Sequence, residues 1–121
     1  MYQEFVSEIL GSTLFIEGIS IQARSVYRII LHDFFYKGFI KDEEGIYIQP
    51  DKNVISEKMN ICVATVRKYI KELDNQGFIK DVRVGLNKCN KIYLKDRTMI
   101  ALVDQIGSIL IAIQQNSDRS M

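Results

Sequence analysis

Two short helical patterns meet at a tight break, Asn60-Ile61, and the second runs through a glycine into a basic hairpin. No other feature restricts the fold of this 121-residue chain as strongly. Asp51, one residue after the only proline, Pro50, can cap a helix to about Met59 with Val54, Ile55 and Met59 inward. The next helix, Val63 to Asn75, places Val66, Tyr69, Ile70 and Leu73 on one face and is ended by Gly77. The stretch VRVGLNKCNKIYL, Val82 to Leu94, then reads as two short strands joined by a basic tip, Gly85 to Cys89. Gly85 is expected to let that tip turn tightly.

The rest of the chain frames this unit. Residues 1–18, with Phe5, Ile9, Leu10, Leu14 and Phe15 apolar, predict a strand or short helix packed on the body. In ISIQARSVYRIILHDFFYKG, Ser20 is a fair N-cap and Gly38 a stop. Between them Ala23, Val26, Tyr27, Ile30, Leu31 and Phe34 recur at helical spacing. Lys41 to Gly45 reads as a turn, and IYIQ as a short strand. Arg97 or Thr98 opens a last helix to about Gln115, followed by a tail, residues 116–121, expected to be disordered. The organisation is thus a packing segment (1–18), a central domain (19–97) and a carboxy-terminal helix (98–115).

A hydrophobic content of 47% with 26% charged residues is that of a globular chain. The start lacks a signal pattern, which predicts a cytoplasmic location. The run Met99–Ile113 carries Asp104 and Gln105, too polar and too short to span a bilayer. Cys62 and Cys89 have neither disulfide-framework nor metal-knuckle spacing. The net charge of +1 conceals a segregation: Lys52 to Arg97 holds eleven Lys or Arg against five Asp or Glu, net +6, and the remainder is net −5. A patch of one sign, not the total, is what a polyanion senses at close range, because salt screens charges beyond about 8–10 Å.

Helix, strand, helix, short turn, helix and basic hairpin is the order of a winged helix–turn–helix, an α+β and mostly α fold, here with an extra C-terminal helix. A major groove about 12 Å wide admits one helix, so the second helix of the pair must carry polar residues outside. With Val66, Ile70 and Leu73 inward, Val63, Ala64, Thr65, Arg67, Lys68 and Lys71 remain outward. Arg67 suits bidentate contact with guanine or phosphate, and Val63, Ala64 and the Thr65 methyl suit thymine methyls. Lys68 and Lys71 suit phosphates. Arg83, Asn87, Lys88 and Lys91, on or beside the hairpin tip, predict phosphate or minor-groove contact. An ordinary solvated hairpin and a packing scaffold are the bland alternatives.

The block ISIQARSVYRIILHDF, GIYIQ, the helix pair and GFIKDVRVGLNKCNKIYL resembles the amino-terminal domain of RepA-type plasmid replication initiators over roughly residues 5–95. That family opens with Leu-Ser-x-x-Ala-x-x-x-Tyr, matched by Ile19, Ser20, Ala23 and Tyr27. Its wing reads Gly-Leu-Gly-Lys-Pro-Asn-x-Ile-Tyr, matched by Gly85, Leu86, Lys88, Asn90, Ile92 and Tyr93. Asn87 and Cys89 replace its second glycine and its proline, and Cys62 stands where a serine cap is usual. The resemblance implies a dimeric winged-helix protein that binds repeated double-stranded DNA sites on a plasmid, in replication initiation or control. A chain ending at residue 121 also suits a plasmid partition or conjugative-transfer accessory protein working with other maintenance or transfer proteins, or a transcriptional repressor.

The last helix favours association. Ile100, Val103, Ile106, Leu110 and Ile113 form a stripe that Leu102, Ile109 and Ile111 widen beyond what one face of a small domain requires. Either a second copy or the chain's own amino-terminal segment must cover it. Catalysis is not expected. His32, the only histidine, has no Ser or Cys placed for activation, and no phosphate-binding glycine motif is present. The acidic run Asp42–Glu44 lacks calcium-loop spacing, so no metal or cofactor is expected. A protein-only adaptor is the remaining class, distinguished by lacking salt-sensitive affinity for DNA.

Overall fold

Local capping decides where each helix starts and stops. The computed structural model describes residues 2–105; α1 covers Tyr2–Ser12 and leads into one 3₁₀ turn, Thr13–Phe15. α2 covers Ile21–Tyr36: the Ala23 N–H donates to the Ser20 hydroxyl at 3.2 Å, and Gly38, at φ 85°, follows its end. α3 is Lys52–Met59, capped by the Asp51 carboxylate, which accepts from the Asn53 N–H at 2.8 Å. α4 is Val63–Asn75, followed by Gly77 at φ 82°. Residues 97–105 form α5, whose cap is Asp96, accepting from the Met99 N–H at 3.0 Å. The predicted opening at Arg97 stands, but the residue that produces it is this aspartate.

β1 (Ile40–Asp42), β2 (Gly45–Ile48), β3 (Ile79–Val82) and β4 (Lys91–Leu94) make one antiparallel sheet in the order β1-β2-β4-β3. Two expectations need correction. The 41–45 segment is not a turn alone: Ile40–Asp42 pairs with β2, and the reversal is confined to Glu43 and Glu44. The Asp42 carboxylate enforces that reversal by accepting from the Glu44 N–H at 2.9 Å. The first strand of the basic hairpin also lies earlier than expected, at Ile79–Val82, which leaves residues 83–90 as the projecting loop.

One core joins every layer. Val6, Ile9 and Leu10 of α1, the inner faces of α2 and α4, Ile55 of α3, Ile79, Ile92 and Leu94 of the sheet, and Val103 of α5 form a single buried cluster. Residues 1–18 therefore contribute a helix to the core, as one of the two expected forms, though Phe5 and Phe15 are exposed and Val6 takes the inward position. Val54, expected inward, is exposed. Its neighbour Ile55 occupies the inner site, and successive helical residues point about 100° apart. Met59 and Tyr69 are half-buried. Among the described residues, no helix is long and apolar enough to cross a membrane.

Of the carboxy-terminal stripe, Val103 is 1% exposed within this core and Ile100 packs against it half-buried. Ile106, Leu110 and Ile113, with the tail 116–121, lie outside the described residues.

Candidate nucleic-acid interface

The turn between α3 and α4 rests on Asn60, whose left-handed backbone (φ 55°, ψ 46°) is a conformation asparagine tolerates better than most residues. Ser56 brackets it from both sides: its hydroxyl donates to the Ile61 carbonyl, and its own carbonyl accepts from the Ile61 N–H at 3.2 Å. Ile61 is thereby drawn onto the core, and α4 starts one residue after Cys62. Cys62 sits at the N-cap with no side-chain bond to the helix backbone. Its sulfur lies 3.0 Å from Thr65 Oγ1, and that hydroxyl above all holds the thiol below its ordinary pKa.

α4 is strongly two-faced. Val66, Ile70 and Leu73 are buried, whereas Ala64, Arg67, Lys68 and Lys71 are exposed, and Val63 and Thr65 are half-exposed. Outward placement thus agrees with expectation at all six predicted positions, most fully at the exposed four. The helix's acids are turned elsewhere. Glu72 accepts from the Ser20 N–H at 2.6 Å and from the Ser20 hydroxyl at 3.0 Å. Asp74 accepts from the Asp81 N–H at 3.0 Å. Both carboxylates stitch α4 to its scaffold, and the outward face keeps the cations.

The wing is β3, its loop and β4. Its base is braced twice: Asn90 donates to Asp81 Oδ1 at 3.0 Å, and Gln49 of the neighbouring strand's end donates to the Cys89 carbonyl at 3.0 Å. At the apex the residue in the left-handed conformation is Asn87 (φ 60°). Gly85, expected to supply the tight turn, has no positive φ; Asn87 does that work. Arg83, Asn87 and Lys88 are exposed as predicted.

Lys91 stands apart from them. It is half-buried on β4, 3.7 Å from the Asp42 carboxylate, with its ammonium 4.6 Å from the centre of the Tyr47 ring. Glu44 likewise lies 3.9 Å from Lys80. The acidic β1–β2 turn therefore pairs with cations at the wing's base. Among the described residues, Arg67, Lys68, Lys71, Arg83 and Lys88 form no ion pair. The structural roles of Glu72, Asp74, Asp42 and Tyr93 are not legible in the sequence, because their partners are distant in the chain. Leu86 had a visible signal, one large apolar residue inside a polar tip.

A helix pair joined at a left-handed asparagine, cationic on the outside of its second helix and followed by a looped hairpin, defines a winged helix–turn–helix. Residues 4–107 match the family described as "Replication initiator protein A (RepA) N-terminus", and the chain belongs to that family. A solved structure described as "N-Terminal domain of DNA binding protein" is similar, with a TM-score of 0.51 and 25% identity, over 78% of this chain and 80% of that one. No curated protein matches the sequence.

Proposed function

We propose that this protein binds double-stranded DNA as a dimer on repeated sites of a plasmid, serving replication initiation or its control. The observation that carries the reading is the face of α4, where Arg67, Lys68 and Lys71 are exposed while Glu72 and Asp74 are held against the scaffold. Family membership and the DNA-binding description of the similar structure support it. In this reading Arg67 reads base edges, Val63, Ala64 and Thr65 meet thymine methyls, and Lys68, Lys71, Arg83 and Lys88 hold phosphates. Lys91, engaged with Asp42, steadies the wing and is not a primary contact. A two-fold dimer would set two α4 helices about 34 Å apart, one turn of duplex.

Binding, not bond chemistry, is the proposed activity. His32 is exposed on α2 with its ring 4.5 Å from that of Tyr36, and desolvation holds its pKa below the ordinary value. Neither exposed cysteine, Cys62 or Cys89, has an interaction with it among the described residues.

The test is fluorescence anisotropy on a selected duplex and on random duplex across a salt series. Arg67→Ala is expected to lose about 1–3 kcal/mol on the selected site and to relax sequence preference. Lys88→Ala is expected to weaken every duplex alike and to make the salt slope shallower by about one. Equal losses on both duplexes for both variants would remove Arg67 from base readout. Affinity that is absent or indifferent to salt would leave a protein-only adaptor.

A further inference from the structure

The wing's apex carries a residue that phosphate holding does not use. Leu86 is 81% exposed, and Val84, two residues before it, is exposed as well. A leucine contributes nothing to an ionic contact, and cations suffice for a wing that merely rests on the backbone. The apex is also held in place. Asn87, directly after Leu86, fixes the turn in the left-handed conformation, and the Asn90–Asp81 and Gln49–Cys89 bonds brace the loop's returning limb. Leu86 therefore stands at the summit of a supported projection.

Charge is graded along the same projection. At the wing's base Lys80 and Lys91 are matched by Glu44 and Asp42. Beyond those pairs Arg83, where the loop leaves β3, and Lys88, two residues after Leu86, are exposed and form no ion pair among the described residues. An apolar point flanked by free cations, on a narrow turn, fits a groove with phosphate walls and an apolar floor of base faces. The unbent minor groove is about 6 Å wide, half the width of the major groove, so a narrow turn is the part of this fold best shaped to enter it. Apolar side chains that enter it part a base step and bend the duplex toward the major groove.

Resting on the DNA-binding reading above, we propose that Leu86 is a wedge: it enters the minor groove beside the α4 site, opens one base step and bends the DNA. Arg83 and Lys88 hold the phosphates on either side while it does so. Cations bring the wing to the groove, and the leucine deforms what it meets. Discrimination then arises at positions where no hydrogen bond is made, because flexible pyrimidine–purine steps open more easily than stiff ones.

The experiment uses the full chain and a duplex it selects from a random library. End-labelled fluorophores report bending by energy transfer, and 2-aminopurine scanned through the flanking steps reports unstacking. Wild type is expected to raise energy transfer and to brighten 2-aminopurine several-fold at one step. Leu86→Ala should lose both signals while keeping affinity within about tenfold, and Leu86→Phe should restore them. Arg83→Ala should weaken binding yet keep the bend in the complexes that form. Circular dichroism melts of the variants should match wild type, since the residue projects into solvent.

Binding by wild type without either signal overturns the wedge alone, as does a Leu86→Ala complex that still bends its duplex. A Leu86→Ala change in solution mass would overturn it too, because the apex would then be a contact between copies. Failure of wild type to bind any duplex overturns this inference together with the reading it rests on.

Discussion

Tyr93 is buried in β4, yet its hydroxyl donates to Asp42 Oδ2 at 2.6 Å, across the sheet from its own strand. That bond is the largest influence on both groups. It holds the Asp42 carboxyl below its ordinary pKa, assisted by the Glu44 N–H and by Lys91, and it pushes Tyr93 up to about 12. The stabilisation that Asp42 supplies is complete above the unfolded carboxyl's value of about 3.9 and is lost as pH falls through the lower folded value. For Tyr93 the contribution is complete below the unfolded phenol's value of about 10 and is lost as pH rises through about 12. Tyr93→Phe is expected to return Asp42 toward the ordinary carboxylate range, followed by carbon-detected NMR of its side chain. An Asp42 that titrates unchanged in that variant would assign its depression to the Glu44 N–H and Lys91 instead. The same bond explains why an acidic run beside a basic wing is useful: Asp42 and Glu44 occupy the wing's basal cations, so its free charge lies near the tip.

Between elements, the contact of most consequence for the site joins α2 to α4. Ser20 caps its own helix through Ala23 and gives both its N–H and its hydroxyl proton to Glu72, 52 residues away. Glu72→Ala should cost about 1.5–3 kcal/mol, the range for hydrogen bonds to a charged group. In urea denaturation, Ser20→Ala combined with it should add much less than the two single losses together. Strict additivity would show that the two residues do not act as one strap. Ser20 was legible in the sequence as a cap, as were Asp51, the Asn60 break and the span of α4, because caps and helical periodicity are local properties. Its second role was not legible, since no pattern in either helix specifies a partner so distant. β1 escaped notice for another reason: three residues, all exposed, cannot display a period of two. On α4 the outward six positions followed from periodicity alone, whereas the departure of Lys91 from the tip depended on Asp42, half a chain away.

At the scale of the molecule, the first and last described helices share the core that holds the helix pair. Val6 and Val103, near opposite ends of the described chain, belong to one buried cluster with Ile55, Val66 and Ile92. A stripe read as an association surface thus begins, at least through Val103, as a core element of its own chain. Its excess apolar width was visible in the sequence, but periodicity reports only that a face is buried, not what buries it. The two occupants make opposite predictions for Val103→Ala. If Val103 packs within its own chain, the variant loses about 2 kcal/mol, two methyl groups plus the space they leave. The melting temperature then falls by the same amount whatever the protein concentration. If Val103 instead served the dimer, the loss would vanish at concentrations where both proteins are monomers and would grow as concentration rises, by mass action. Melts across a hundredfold range of concentration separate these, and the buried position of Val103 predicts parallel curves for variant and wild type. A gap that opens only as concentration rises would move Val103 out of the core and into an interface between copies. Parallel curves would leave any pairing of copies to another surface, with α5, capped by Asp96 directly after the wing's returning strand, packed into the common core through Val103.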